Sequence, residues 1–166
     1  DVIIVCMHWG NEYQSLPSRE QRQLADWLLE QGVTHIIGSH PHVIQPMELR
    51  TDSITGAEHA VVYSLGNFIS NMSKVNTDGG LIFTLELERD TTTSTSTQVR
   101  VQRCEYNLVW TARPNLTKEK NYVLYPTDST SISKLPEAAR NHLNIFVKNS
   151  RKLLQQHNVG IKENKK

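Results

Sequence analysis

The sequence predicts an α/β fold, in which a βαβ unit with parallel strands is followed by mostly antiparallel strands and a C-terminal helix. Residues 1–37 have the pattern of a strand, a helix and a second strand, and parallel strands need such a crossover. Beyond residue 43, apolar runs alternate with polar turns, which is typical of hairpins. The 166 residues suffice for a hydrophobic core without disulfide or metal staples.

Charge and cysteine content exclude several function classes. Lys and Arg number 18 against 17 Asp and Glu, so the net charge of +1 gives no strongly basic surface for nucleic acid or an anionic membrane. No run of 18 apolar residues is present, so no membrane span is predicted. Cys6 and Cys104 form no disulfide framework and leave the cellular compartment open.

The first predicted strand, residues 1–7, is a continuous apolar run. Such a run is typical of a strand buried on both faces of a parallel sheet. A natural chain seldom begins in a buried strand. We therefore expect this chain to be the C-terminal part of a longer protein.

A helix is predicted next, because Ser18 and Gln21 have the spacing of a capping box. Gly32 stands where the helix should end, and residues 33–37 form a second apolar strand. The helix face expected to pack on the sheet consists of Leu24, Trp27 and Leu28.

Four further strands and a helix are predicted in the rest of the chain. The strands are expected at residues 43–49, 60–64, 80–87 and 98–109. Residues 91–97 contain only Ser and Thr, and we interpret them as a hairpin tip rather than a linker, because strict alternation resumes at residue 99.

Pro136 is placed at the first position of the last helix, whose apolar stripe is Ala139, Leu143, Phe146, Leu153 and Leu154. Residues 162–166 are expected to fray. We divide the chain into a domain portion at residues 1–110 and a C-terminal extension with an amphipathic helix at residues 111–166.

Three histidines follow the two predicted parallel strands. His8 ends the first strand, and His40 and His42 follow the second. Because the carboxyl ends of parallel strands share one edge of a sheet, these imidazoles should converge. Imidazole binds divalent metals such as zinc, iron and manganese, so a metal site is predicted, with hydrogen-bonded structural histidines as the alternative.

The other histidines and Cys6 have weaker patterns. His35 lies within an apolar strand and is expected to be a hydrogen-bonded core residue. Cys6 shares a strand face with His8, but we expect it to be a small buried hydrophobe. The histidines predicted to lie on the surface without companions are His59, His142 and His157.

Several residues near the three histidines are candidates for substrate chemistry. Glu12 is a candidate general acid or base. Trp9 and Tyr13 offer flat surfaces for substrate, with ordinary core packing as the alternative. Asn67 either points into the same cleft or only forms a turn. Ser64 lies outside any G-x-S-x-G elbow, so serine nucleophile chemistry is unsupported.

Three segments together carry a resemblance: residues 8–13 (HWGNEY), 38–43 (GSHPHV) and 63–68 (YSLGNF). They resemble the C-terminal half of bacterial capsule-synthesis proteins of the CapA type, linked to poly-γ-glutamate capsules. That family is similar to calcineurin-like metallophosphatases, which implies an α/β sandwich with a di-metal centre between two sheets. The resemblance covers residues 1–87 and is loose beyond about residue 110.

The resemblance implies that His8 is the lone histidine ligand of the later metal motifs and that His40 and His42 form the closing Gly-x-His-x-His pair. The aspartate ligands, the bridging carboxylate and the Asn-His pair of the superfamily are expected upstream of this chain. Three histidines cannot supply two metal ions, since each needs about four ligands. A mononuclear or an empty site is therefore expected for this chain, and this chain alone is not expected to be active.

Two functions from different classes follow from the resemblance. The first is a metal-dependent hydrolase or transferase of the bacterial cell envelope, acting on a phosphoester or a γ-glutamyl amide. The second is a non-catalytic capsule-assembly module that binds an anionic polymer or other assembly proteins. A structural zinc site is a third option, which closed coordination would reveal.

Overall fold

A computed structural model describes residues 1–89, 99–128 and 130–164. Its first sheet contains the predicted βαβ unit, with β1 and β2 parallel and adjacent. β4 pairs in parallel with β2, and β3 closes the sheet antiparallel to β4, giving the order β1-β2-β4-β3. The elements are β1 (Ile4–His8), α1 (Arg19–Glu30), β2 (His35–Ser39), β3 (Met47–Thr51) and β4 (Glu58–Val62).

The second sheet is mainly antiparallel and begins with the predicted hairpin. β5 pairs with β6 and β6 with β7, while β8 lies parallel to β6. The expected hairpin tip at residues 91–97 lies outside the described residues. The strands are β5 (Gly79–Arg89), β6 (Val99–Ala112), β7 (Val123–Pro126) and β8 (Lys162–Glu163); the helices are α2 (Pro114–Thr117), a 3-10 helix (Thr130–Lys134) and α3 (Glu137–His157). The predicted α/β class is confirmed.

α1 begins with the predicted capping box, but it packs differently from the prediction. The Ser18 hydroxyl accepts a hydrogen bond from the Gln21 amide, and the Gln21 side chain accepts one from the Ser18 amide. Of the predicted packing face, Leu28 is half-buried and packs on the core, whereas Leu24 and Trp27 are 37% and 53% exposed, so the prediction is wrong for those two residues. The helix instead buries Gln21 and Ala25, because the polar Gln21 finds hydrogen-bond partners in the interior.

β1 is also less buried than its apolar sequence predicts. Among the described strands it pairs with β2 alone, at the edge of its sheet, and its residues alternate between exposed and half-buried. Ile4 is 50% exposed, and Cys6 is exposed rather than a buried hydrophobe. Both predictions are wrong, because an apolar run does not distinguish an edge strand from a central one.

Two hydrophobic clusters flank the first sheet. The larger lies between the two sheets and α3, and includes Met47, Val62, Trp110, Phe146 and Leu154. The smaller lies under α1, with Trp9, Ala25, Ile36, Val61 and Tyr63. Neighbouring strand residues such as Val61 and Val62 belong to different clusters, because successive side chains point to opposite faces.

Some predicted boundaries shift. The strand expected from residue 43 begins at Met47, and Pro136 is the N-cap of α3 instead of its first residue. Lys162 and Glu163, expected to fray, pair with β6, while residues 165 and 166 lie outside the described residues. The buried stripe of α3 contains four of the predicted residues, with Leu153 half-buried. The division at residue 110 falls within β6, and α3 shares the larger cluster with both sheets.

Candidate functional site

The carboxyl ends of β1 and β2 bring the three predicted histidines together. His8 is the last residue of β1 and pairs in register with Ser39, so His40 follows directly beside it. The ring centroids of His8 and His40 are 4.4 Å apart, and those of His40 and His42 are 6.0 Å apart. The strand-end argument therefore places these side chains correctly, and we call them the histidine cluster.

The turn after β2 has an unusual backbone. His40 and His42 both have positive φ angles, 99° and 60°. Non-glycine residues seldom adopt this left-handed region, and such strain persists where surrounding contacts impose it. The Ser39 hydroxyl donates a hydrogen bond to the Met7 carbonyl, and the Trp9 amide donates one to the Ser39 carbonyl. These bonds fix the two histidine-bearing loops relative to each other.

Asn67 lies in the cleft, where it fixes the orientation of His42. Its amide nitrogen donates a hydrogen bond to the Thr77 carbonyl at 2.8 Å, so its oxygen faces the His42 Nδ1 atom, 3.0 Å away. An amide oxygen only accepts, so Nδ1 must carry the proton. In the neutral ring the Nε2 atom of His42 then has a free lone pair, the state required of a metal ligand.

Trp9 forms the floor behind the cluster. It is 8% exposed, its indole nitrogen donates a hydrogen bond to the Tyr63 carbonyl at 2.8 Å, and the two rings stack 6.0 Å apart. Core packing, one of the two interpretations left open by the sequence, describes this residue. A substrate contact for Trp9 stays a prediction.

Gly38 permits this close packing between β2 and its surroundings. A Cβ atom at position 38 would lie 2.1 Å from the Tyr63 carbonyl oxygen and 2.5 Å from the Trp9 indole nitrogen. No side chain fits there without moving backbone. Gly38 therefore sets the spacing of the three strand ends that carry the site.

Tyr13 lies over the cluster and is partly exposed. Its ring stacks on His42 with centroids 6.2 Å apart, and its amide donates a 2.7 Å hydrogen bond to the Pro41 carbonyl. Glu12 is exposed, and its carboxylate accepts a hydrogen bond from the Tyr13 hydroxyl, which is the main cause that raises the pKa of Tyr13, with burial second. No hydrogen bond or ion pair of the described residues joins Glu12 to a histidine.

A glutamine pair not foreseen from the sequence anchors the loop that carries Tyr13. Gln45 is fully buried, and its amide nitrogen donates to the carbonyls of Gln14 and Leu16 at 2.9 and 3.2 Å. Gln21 in turn donates to the Gln45 side-chain oxygen at 2.8 Å. The capping box indicated Gln21, but no sequence pattern marked Gln45.

The turn after Asn67 was also missed. Lys74 lies with its Nζ atom 3.7 Å from the centroid of the Tyr13 ring, and Thr77 is buried beneath the same turn. A polar run without apolar periodicity gives no sequence signal for such a contact.

The remaining histidines lie away from the cluster. His35 is 1% exposed and its Nδ1 accepts a hydrogen bond from the Ala60 amide, which confirms it as a core residue. His59 is half-buried against the Thr34 carbonyl, and His142 lies 3.8 Å from Asp78, so both have contacts that the sequence did not predict. His157 is exposed, as predicted.

The donor set of the cluster fits a divalent metal in part. Zinc–nitrogen bonds are about 2.0–2.1 Å, so imidazole rings 4.4 Å apart are close enough to share one ion. Within residues 1–89, 99–128 and 130–164, no three His, Cys, Asp or Glu side chains are already arranged to hold a metal ion. A complete coordination shell therefore needs rotation of these rings or further ligands.

Comparison with known proteins identifies the family that the three motifs resemble. Residues 1–72 match the family described as Bacterial capsule synthesis protein PGA_cap. This match includes the histidine cluster, Tyr13 and Asn67, and it confirms the resemblance drawn from the sequence motifs over that segment.

Two curated relatives carry capsule-related names. The PGA biosynthesis protein CapA of Bacillus subtilis (strain 168) is 34% identical over 92 residues, which are 55% of this chain and 23% of the relative. The capsule biosynthesis protein CapA of Bacillus anthracis is 36% identical over 83 residues, which are 49% of this chain and 19% of the relative. The chain thus matches less than a quarter of the length of each relative.

No helix among the described residues is long and apolar enough to cross a membrane.

Proposed function

Taking the match of residues 1–72 to the PGA_cap family as a premise, we propose that this chain supplies the histidine part of a metal-dependent hydrolytic site used in capsule or poly-γ-glutamate biosynthesis at the bacterial cell envelope. The observation that carries the proposal is the convergence of His8, His40 and His42 at one sheet edge. The substrate bond is a γ-glutamyl amide or a phosphoester.

In this proposal His8, His40 and His42 hold the divalent ion, which is zinc, iron or manganese. The ion supplies Lewis-acid polarisation of a substrate oxygen. Asn67 keeps the His42 proton on Nδ1 and leaves Nε2 for binding. Glu12 is the proposed proton carrier, because it is an exposed carboxylate on the loop that covers the cluster.

The first experiment measures metal binding by calorimetry for the protein, for His40→Ala, and for His157→Ala as a matched control on the exposed end of α3. We expect zinc or manganese to bind the protein and the control equally. His40→Ala should bind at least about tenfold more weakly, since changes even outside the ligand shell cost that much.

Hydrolysis of a phosphodiester and of γ-linked oligoglutamate is then measured on the same proteins. Turnover that His40→Ala abolishes supports the hydrolase. Metal binding unchanged in His40→Ala contradicts the proposed metal site. Metal binding with no turnover of either substrate favours the second candidate, a non-catalytic polymer-binding module, to which the partly exposed Tyr13 ring and the adjacent Lys74 are suited.

A further inference from the structure

The turn that follows Asn67 places a positive charge on the Tyr13 ring, which stacks on the histidine cluster. The Lys74 Nζ atom lies 3.7 Å from the centroid of the Tyr13 ring, and that ring stacks on His42. An ammonium group is attracted to the face of an aromatic ring, so this contact holds the lysine head group over Tyr13, the residue that covers the cluster.

A second path of hydrogen bonds links Lys74 to the same histidine. The Lys74 carbonyl accepts hydrogen bonds from the amide and the hydroxyl of Thr77, at 3.1 and 2.8 Å. The Thr77 carbonyl accepts from Asn67, whose oxygen contacts His42. Thr77 is fully buried, so the base of the turn is anchored. Lys74 is therefore positioned relative to His42 through both the ring and the backbone.

The charge of Lys74 is not neutralised within the described part of the chain. Its side chain is exposed, and none of the ion pairs among those residues includes it. The nearest acid along the covering loop is Glu12, which interacts with Tyr13. An aromatic face stabilises an ammonium group but carries no net charge, so Lys74 can still bind an anion.

We infer that Lys74 is the anion contact of this site: it binds a carboxylate or phosphate of the substrate and so aligns the neighbouring bond with the histidine cluster. The inference rests on the proposed function, since it assigns Lys74 a role toward the substrate of that site. Lys74 is a substrate-binding residue in this assignment, and its effect is selectivity for negatively charged over neutral chains.

The experiment compares two probes that differ only in charge. One is a γ-linked glutamate oligomer with free α-carboxylates, and the other is the γ-linked isoglutamine oligomer, in which these groups are neutral amides. Binding of each is measured by calorimetry at low and moderate salt for the protein, Lys74→Gln, Lys74→Arg and the control Lys152→Gln. Lys152 is an exposed lysine of α3.

We expect Lys74→Gln to weaken binding of the glutamate oligomer by roughly fivefold at low salt, as for a solvent-exposed ion contact, and less at moderate salt. Lys74→Arg should retain binding, because it keeps both the charge and the ring contact. Lys152→Gln should have no effect, and the neutral oligomer should bind equally to all four proteins. A dialkyl phosphate, tested in the same way, shows whether phosphate or carboxylate is the better anion.

Three results would overturn the inference: equal affinity of Lys74→Gln and the protein for both anionic probes, an equal loss in Lys152→Gln, or no binding of either anionic probe to the unmodified protein. Metal titration of Lys74→Gln separates this inference from the proposed function. If the unmodified protein binds no metal, but Lys74→Gln binds the anionic probes more weakly than the unmodified protein does, the proposed metal site is wrong and the anion contact stands. Unchanged anion affinity with normal metal binding leaves the metal site standing and contradicts the anion contact.

Discussion

The two hydrophobic clusters on either side of the first sheet differ in what they support. The larger cluster joins both sheets to α3 through big side chains such as Trp110 and Phe146, both fully buried. The smaller cluster lies under α1 and includes Trp9 and Tyr63, which stack directly behind the histidine loops. The larger cluster therefore holds the fold together, while the smaller one positions the site.

The two clusters therefore contribute differently to the stability of the fold and to the geometry of the site. The smaller cluster relies on close backbone approach at Gly38 and on hydrogen bonds from the Trp9 indole and the Gln45 amide. Such contacts are directional, whereas packing of the larger cluster is spread over many apolar side chains. Substitutions in the two clusters should thus have different consequences.

The largest effect on stability is expected from Phe146→Ala in the larger cluster. Phe146 is 1% exposed, and removal of a buried phenyl ring costs about 3–5 kcal/mol of the free energy of unfolding. The matched control is Ile145→Ala, which removes a half-exposed side chain one residue earlier and should change stability by less than about 0.5 kcal/mol. Urea denaturation measures both, and equal losses would contradict the assignment of Phe146 to the core.

A smaller loss of stability, with a larger loss of function, is expected from Gly38→Ala. The added Cβ would lie 2.1 Å from the Tyr63 carbonyl oxygen, and overpacking of this kind costs about 1–3 kcal/mol. Because His40 lies two residues further on, the shift should also weaken metal binding. Urea denaturation and metal titration are carried out on both Gly38→Ala and Phe146→Ala. The folded fraction of Phe146→Ala should keep the metal affinity of the unmodified protein. Normal metal affinity in Gly38→Ala would contradict the conclusion that the smaller cluster positions the site.

The sequence sufficed to predict the features that depend on local pattern. The capping box of Ser18 and Gln21, the parallel pair β1 and β2, and the convergence of His8 and His40 all follow from spacing and strand direction. Asn67 was also a candidate from its turn motif, and its contact with His42 is present in the structure.

Features that depend on tertiary neighbours could not be predicted from the sequence. Ile4 and Cys6 belong to an apolar run, but no pattern states that β1 lies at the edge of its sheet. Trp27 fits an apolar helical face, yet the helix buries Gln21 because Gln45, 24 residues later, offers it a hydrogen bond. Lys74 contacts Tyr13, which lies 61 residues earlier in the sequence, and no local periodicity predicts such a contact.

The smallest effect is a pH dependence that comes from the sheet between the clusters. Burial lowers the pKa of His35 from its ordinary value of 6.5, and the nearby His59 lowers it further. The unfolded chain therefore binds more protons than the folded protein between the lowered pKa and pH 6.5, so the free energy of unfolding falls as the pH drops through that window and depends little on His35 above it. The neutral ring accepts the Ala60 amide hydrogen bond on Nδ1. In His35→Asn the side-chain oxygen can accept this hydrogen bond instead, and asparagine does not titrate.

Urea denaturation from about pH 7 to pH 5 should give a shallower loss of stability for His35→Asn than for the unmodified protein. Parallel pH profiles would mean that the folded state accepts a proton on His35 and that the Ala60 contact does not depend on a neutral ring.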